Sequence, residues 1–217
     1  MLHSSQLETN RSLFPMNKGQ LTKKRIIAEA ARVFNSRGFT GASVYDIMDA
    51  VQLKKGGIYR HFDSKDELAL AAFDFAYNRL RRRYKEEVFR PRHAATRLGA
   101  ILDIHGSLLD DPYLEGGCPI LNTAVESDDT HPDLRAKAQW AMDEWRNTVW
   151  MVIRKGIERR ELKEVDAERF STVMIASLEG AVMLTKLYDD KVHIRRVISY
   201  LKEDIRALST APQEGKL

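Results

Sequence analysis

An all-α fold is what these 217 residues predict, on three observations. Alternating apolar and polar runs of the strand type are nearly absent. Apolar residues recur instead at i, i+3, i+4 and i+7, the spacing of one helix face. Gly, Pro and Asp-rich breaks separate these stripes at intervals suited to short connections.

Taken in order, the first stripe is Ile27, Ala30, Ala31 and Phe34. Gly38 ends it, because glycine tolerates the positive φ of a helix stop. Ser43 is a natural N-cap for a second helix carrying Val44, Ile47, Met48 and Val51. A short link at Gln52-Leu53 leads to a third helix near 54–61. Ser64-Lys65-Asp66-Glu67 is a capping box, in which the hydroxyl takes the amide three residues on and the Glu reaches back. The fourth helix follows with Leu68, Ala71, Ala72 and Phe75 inward, and runs to about Val88 because Pro91 cannot continue it.

The rest is helical too. Leu98, Ile101, Leu102 and His105 line a fifth helix that breaks at Asp111-Pro112. Gly116-Gly117-Cys118-Pro119 opens a short sixth. Asp128-Asp129-Thr130-His131-Pro132 is a turn, with Thr130 or His131 starting a long seventh to about Arg159. That helix carries Met142, Trp145, Val149 and Val152 inward. Two more are expected near 166–188 and 191–208. There is no internal repeat and no low-complexity segment.

Composition narrows the function. Residues 1–92 hold 18 Lys+Arg and 10 Asp+Glu (net +8), against 17 and 21 (net −4) in 93–217. Only the first part is therefore suited to a polyanion. The single cysteine, Cys118, excludes an intrachain disulfide and fits a reducing cytosol, so a cytoplasmic location is expected. No continuous run of about 18 apolar residues is present, so no membrane partner is expected. Residues 1–17 lack the apolar core of a signal peptide and read as a flexible arm. The six histidines, His3, His61, His93, His105, His131 and His193, are scattered without metal-ligand spacing. No nucleophile elbow or Walker loop is present. No metal, cofactor or catalytic residue is expected. The rival classes are a helical enzyme and a protein-interaction module that binds no DNA.

The third helix carries the functional signal. Lys54 to His61 is short and has no bulky apolar residue on its leading side. Gly56 and Gly57 let a backbone come close to base edges and phosphates, and two glycines inside a helix cost roughly 2 kcal/mol against Ala. Ile58 and Phe62 would anchor this helix, leaving Tyr59, Arg60 and His61 free to hydrogen-bond.

In order and spacing, Ile26 to Phe34, Arg37-Gly38-Phe39, Ser43 to Ile47 and Lys55 to Lys65 resemble the DNA-binding half of the tetracycline-repressor (TetR) family. The resemblance implies a helix-turn-helix unit at 18–65 and an effector-binding and dimerisation body at 66–217. It implies phosphate contacts at Tyr59, His61 and Lys65, with Ser43, Lys23 and Lys24 as further ones. Base readout would fall to Lys55, Gly57 and Arg60, since Lys and Arg favour guanine O6 and N7. Lys54 and Gly57 stand where the family often has small hydroxyl residues. The resemblance further implies a homodimer on palindromic operator DNA, by default a repressor, released by a small apolar or aromatic molecule.

Ala176, Ser177, Gly180 and Ala181 form a small-residue stripe that, with Leu184, Val197, Ile198 and Leu201, is the expected dimer interface. Candidate lining residues for the effector are His105, Tyr113, Cys118, Asn122, Trp140, Trp145, Trp150 and Glu179. Each also reads as core, the commoner place for an aromatic at helical spacing or a histidine on an apolar face. Cys118, beside a helix start, is either an activated thiol or an inert small core residue.

Overall fold

The computed structural model describes residues 17–90, 92–127 and 131–210. The arm at 1–16, Pro91 and the turn residues Asp128, Asp129 and Thr130 lie outside them. Among the described residues there is no strand; a lone antiparallel bridge joins Leu162 to Ser209.

α1 (Lys18–Arg37) starts on a capping box made by Asn17 and Gln20. Such a cap contributes about 1 kcal/mol. Gly38 ends α1 with φ 78°, and a Cβ there would also collide with the Glu126 carboxylate. α2 (Val44–Val51) is capped by Ser43 and Asp46, each satisfying the other's backbone amide. α3 (Lys55–Tyr59) is short and pinned by buried Ile58 and Phe62. α4 (Lys65–Arg83) passes into a π-helical turn, Tyr84–Val88.

The body comprises α5 (Ala94–Gly106), a 3₁₀ turn (Leu108–Asp110), α6 (Pro119–Ser127), α7 (Pro132–Glu158), α8 (Ala167–Tyr188) and α9 (Val192–Leu208). α7 begins as a helix should, with His131 as N-cap and Pro132 in the first turn. The core of the body is formed by α5 packed against α7, α8 and α9. α8 is long and apolar enough, by length and composition, to cross a membrane. Its inner face is packed against α7 and α9 and carries a buried glutamate, Glu179, as suits a core helix.

The described geometry corrects several sequence expectations. In α1 the buried face is Ile26, Ala30, Ala31 and Val33; Ile27 and Phe34 are only half-buried. In α4 the inward residues include Ala69, Phe73 and Ala76 beside Leu68 and Ala72. Ala71 and Phe75 fall on the flank. α1 packs on α2, α4 and α6, and α4 on α1, α6 and α7, so their buried arcs are wider and rotated relative to a single four-residue stripe. Glu67 does not reach back to Ser64: its carboxylate takes the amide of Asp63, at 2.7 Å, while the Ser64 hydroxyl takes the Glu67 amide. The fifth helix stops at Gly106, before Asp111-Pro112, where the chain tightens into the 3₁₀ turn.

Candidate nucleic-acid interface and buried polar cluster

The reading unit is positioned by its caps. With α2 fixed at Ser43 and α3 held by Ile58, one side of α3 is left facing solvent. Lys54, Lys55, Gly56, Tyr59 and Arg60 are exposed, and Gly57 and His61 half-buried. A Cβ on Gly56 would meet nothing within 4 Å, and one on Gly57 would make only ordinary contact with Leu53. Neither glycine has a positive φ. Nothing inside the chain therefore requires glycine at either position, although both weaken the helix.

Around the foot of α3 lies a shallow depression lined by Ser43, Tyr45, Lys55, Tyr59 and Lys65, among others. Four sequence candidates thus meet in one place. Lys55 Nζ stands 5.6 Å from the centre of the Tyr59 ring, and Lys23 Nζ 4.8 Å from that of Phe62. Lys24 is exposed on α1. Two candidates have internal work as well. The Ser43 hydroxyl and backbone amide both bond Asp46. Those bonds, with Arg37 beside it, hold the Asp46 carboxyl below its usual range. Lys65 donates to the Phe39 carbonyl and lies over the Phe39 ring, 4.3 Å from its centre. The start of α4 is thereby tied to the α1–α2 turn.

The effector candidates separate sharply. His105, Cys118, Trp145 and Glu179 are buried and come together with Tyr84, which the sequence reading missed. Tyr84 continues the Leu80 side of α4 one turn on, and that spacing was a usable signal. Its hydroxyl approaches His105 Nδ1 at 3.5 Å, and its ring stands edge-on to that of His105. The His105 ring stacks on Trp145 at 4.5 Å and 6°. Burial, with Cys118 and Glu179 nearby, pushes the Tyr84 hydroxyl well up. Burial raises the Glu179 carboxyl to about 7, against a hydrogen bond from Cys118. Burial, with the charge of Arg83 and against the Ile101 carbonyl, lowers His105 to about 4.

The other four candidates lie elsewhere. Trp140 and Trp150 are exposed; Trp140 stands edge-on to Tyr77. Tyr113 sits against Phe75 and under Arg79. Asn122 is a clamp: its amide donates to the Asn35 carbonyl, the Asn35 side chain and the Gly116 carbonyl at 2.9–3.0 Å. The activated-thiol reading of Cys118 fails on burial, which together with the neighbouring Glu179 carboxylate drives the thiol well above its ordinary value. A protonated thiol is a poor nucleophile.

Asn122 belongs to a junction between body and reading unit. Asn35 of α1 donates to the Gly117 carbonyl at 2.9 Å. Lys186 of α8 donates to the Gly116 carbonyl. The Glu126 carboxylate takes the Phe39 amide at 2.6 Å. A Cβ on Gly116 would lie 2.2 Å from the Asn35 carbonyl oxygen, so only glycine allows this approach. α4 is therefore not the sole element touching both regions.

The expected dimer residues also divide. Ala181 and Leu201 are buried inside the chain, and Ile198 rests on Gly106 of α5. They serve the subunit's own α5–α8–α9 packing. The outward face of α8 is instead Val173, Ala176, Gly180, Met183 and Leu187, with Ser177, Leu184 and Val197 half-buried beside it.

Comparison with known proteins accords with this arrangement. Residues 26–72 match the family model described as bacterial regulatory proteins, tetR family. Residues 94–201 match the model for the tetracyclin repressor-like C-terminal domain. A TetR transcriptional regulator from Chloroflexus aurantiacus is 44% identical, with 89% of this chain and 98% of that one covered and a TM-score of 0.84. A TetR-family regulator from Cytophaga hutchinsonii is 30% identical over 92% and 100% of the two chains, with a TM-score of 0.80. The HTH-type transcriptional regulator TtgR of Pseudomonas putida is 26% identical over 182 residues, 82% of this chain and 86% of that protein. With a capped three-helix reading unit set on an α-helical body, and a solved relative at 44% identity across nearly its whole length, the chain belongs to the TetR family of bacterial transcriptional regulators, DNA-binding proteins that respond to ligands and are not enzymes.

Proposed function

We propose that this chain is a cytoplasmic repressor that binds a palindromic operator as a homodimer and is released by a small aromatic effector. The observation that carries the DNA assignment is the outward face of α3, which holds two glycines that no internal contact requires. Residues 18–65 form the reading unit and 66–217 the effector-binding and dimerisation body. Tyr59 and His61 contact phosphates beside the depression at the foot of α3. Lys55, Gly57 and Arg60 face the base edges, and Lys54, Ser43, Lys23 and Lys24 flank the backbone. Lys65 acts first as a tie to Phe39 and lends its charge to the same phosphate.

Two readers need a fixed spacing of about one helical turn of DNA. The apolar stripe on α8, with Tyr200 exposed nearby on α9, supplies the face on which two subunits join. The effector enters the cluster of Tyr84, His105, Trp145 and Glu179. Cys118 sits in that cluster and directly follows the Gly116–Gly117 loop clamped to Asn35. Filling the cluster biases the loop, α6 and α4 together. An effector acts only through its different affinity for the two arrangements.

The test is selection of binding sites from random duplex DNA, followed by titration in solution. A palindromic consensus is expected. Its affinity should fall with salt by about 0.9 log units per log unit of salt for each phosphate neutralised. Gly180→Arg, placed where the chain leaves open space, should yield a folded monomer by light scattering. Enrichment of no sequence, or a wild-type monomer at micromolar concentration, overturns the reading.

A further inference from the structure

Three deeply buried polar groups in the body lack a well-formed hydrogen bond among the described residues: both oxygens of Glu179, Nε2 of His105 and Nε1 of Trp145. The Glu179 oxygens have only the weak Cys118 thiol beside them, and Trp145 Nε1 has only the Tyr84 hydroxyl near it. Glu179, His105 and Trp145 are 6%, 1% and 5% exposed. A fourth such atom, His131 Nε2, lies apart at the start of α7, 3.9 Å from Asp66. Buried polar atoms are nearly always hydrogen-bonded, and each exception calls for a physical cause. Three exceptions gathered around the Tyr84 side chain share one: they await hydrogen-bonding groups from outside the chain.

The protonation pattern of these groups is set by the backbone. His105 Nδ1 lies 3.0 Å from the Ile101 carbonyl, which can only accept, so Nδ1 carries the proton. Burial keeps the ring neutral. His105 Nε2 is therefore a bare acceptor. The Glu179 oxygens are acceptors when ionised, and the Trp145 indole N–H is a donor. The walls are flat rings, with His105 stacked on Trp145 and Tyr84 edge-on. A groove between the π-helical turn and α7 has Tyr84 and Trp145 in its walls, and His105 and Glu179 are buried beyond that lining. Its mouth holds Arg81, Arg82, Lys85 and Arg90 against Glu86 and Glu144.

We propose that the effector is an uncharged aromatic molecule bearing at least two hydroxyl groups. Their O–H bonds donate to Glu179 and to His105 Nε2, and one hydroxyl oxygen accepts the Trp145 N–H. This rests on the reading of the cluster as the effector site and adds the ligand's chemical class. A hydroxyl is both donor and acceptor, which the mixed set requires. An anionic ligand would place its charge on Glu179. A cationic one would have to pass the surplus of positive charge at the mouth. A bare hydrocarbon would leave all three groups unpaired, the situation that binding sites built for hydroxyls reject most strongly.

The test uses the full chain and isothermal titration with defined probes: a panel of dihydroxynaphthalenes, their dimethyl ethers, 2-naphthylmethylammonium and 2-naphthoate. At least one diol should bind about tenfold or more tightly than its own ether. Glu179→Leu and His105→Phe should each reduce that preference to about threefold or less while the ether still binds. Glu179→Gln, which keeps an acceptor oxygen, should retain part of it. A raised thermal midpoint in Glu179→Leu would show that the lost preference is not lost folding. Ethers equal to diols, the ammonium probe binding most tightly, or no probe binding at all would each overturn the proposal. Sequence-specific DNA binding by the same preparation would leave the repressor reading standing in any of those cases.

Discussion

The reading unit and the body both contain residues that fold less well than an available alternative, but the two kinds of sacrifice differ. On α3, Gly56 and Gly57 give up helix stability on an exposed face. In the body, Glu179 and His105 Nε2 give up solvation in the core. The first cost is written in the residue type and can be seen in the chain alone. The second depends on burial, and burial is known only once five segments of chain have met. In both regions, local rules are broken where the proposed function places a partner, DNA at α3 and an effector in the body.

If Glu179 is kept for a ligand, removing it should stabilise the protein, and this is the largest expected effect. The folded-state pKa is raised from 4.5 to about 7. Below about pH 4.5 the group is protonated in both states and has no differential effect. As pH rises through 7 the unfolded state is already ionised, and the folded state loses stability by up to about 3 kcal/mol. Glu179→Leu should therefore gain most at pH 8, with the gain shrinking towards pH 5, as followed by urea denaturation. A variant less stable than wild type at pH 8 would make Glu179 a structural residue.

The reading unit should respond in affinity instead of stability. Tyr59→Ala should weaken operator binding by about 1–3 kcal/mol equally across sequences, whereas Arg60→Ala should relax preference at one base position per half-site. Repeating the binding-site selection with each variant separates the two. An unchanged motif for Arg60→Ala would remove it from the base readers.

The smallest effect concerns Gly56. With open space at its Cβ, Gly56→Ala should raise stability by up to about 1 kcal/mol. Operator binding should weaken in the same variant. Calorimetry and DNA titration on one sample would show the two moving in opposite directions.

How much could be read from the chain follows the same division. The caps at Ser43 and Ser64, the stop at Gly38, and the anchors Ile58 and Phe62 are local, and they stand where their residue types and spacing place them. The buried faces of α1 and α4 differ in phase from the stripes, because each helix packs on three others and a stripe of four residues cannot reveal that. Of the effector candidates, His105 and Trp145 were legible as polar or aromatic residues on apolar stripes. Trp140 and Trp150 fall off the stripe of Met142, Trp145, Val149 and Val152, so the spacing alone argued against all three indoles sharing one pocket, and both are exposed. Asn122 borders a cavity between α1, α4, α6 and the start of α7 and is also a clamp, a role that depends on Asn35, 87 residues away. Tyr84 was within reach of the sequence, one turn beyond Leu80 on the same side, although the π-helical turn in which it lies is a geometry that the pattern does not announce.

DNA binding by this chain depends on the bare glycine face of α3 fitting against the duplex. Gly56→Glu challenges that fit, because the side chain enters open space within the protein and would set a negative charge against the phosphates. Fluorescence anisotropy of a labelled selected operator, read beside the thermal midpoint, should show affinity lost by roughly 100-fold or more with the midpoint unchanged or raised, since like charges at an interface cost several kcal/mol. Operator affinity within about twofold of wild type would contradict the claim.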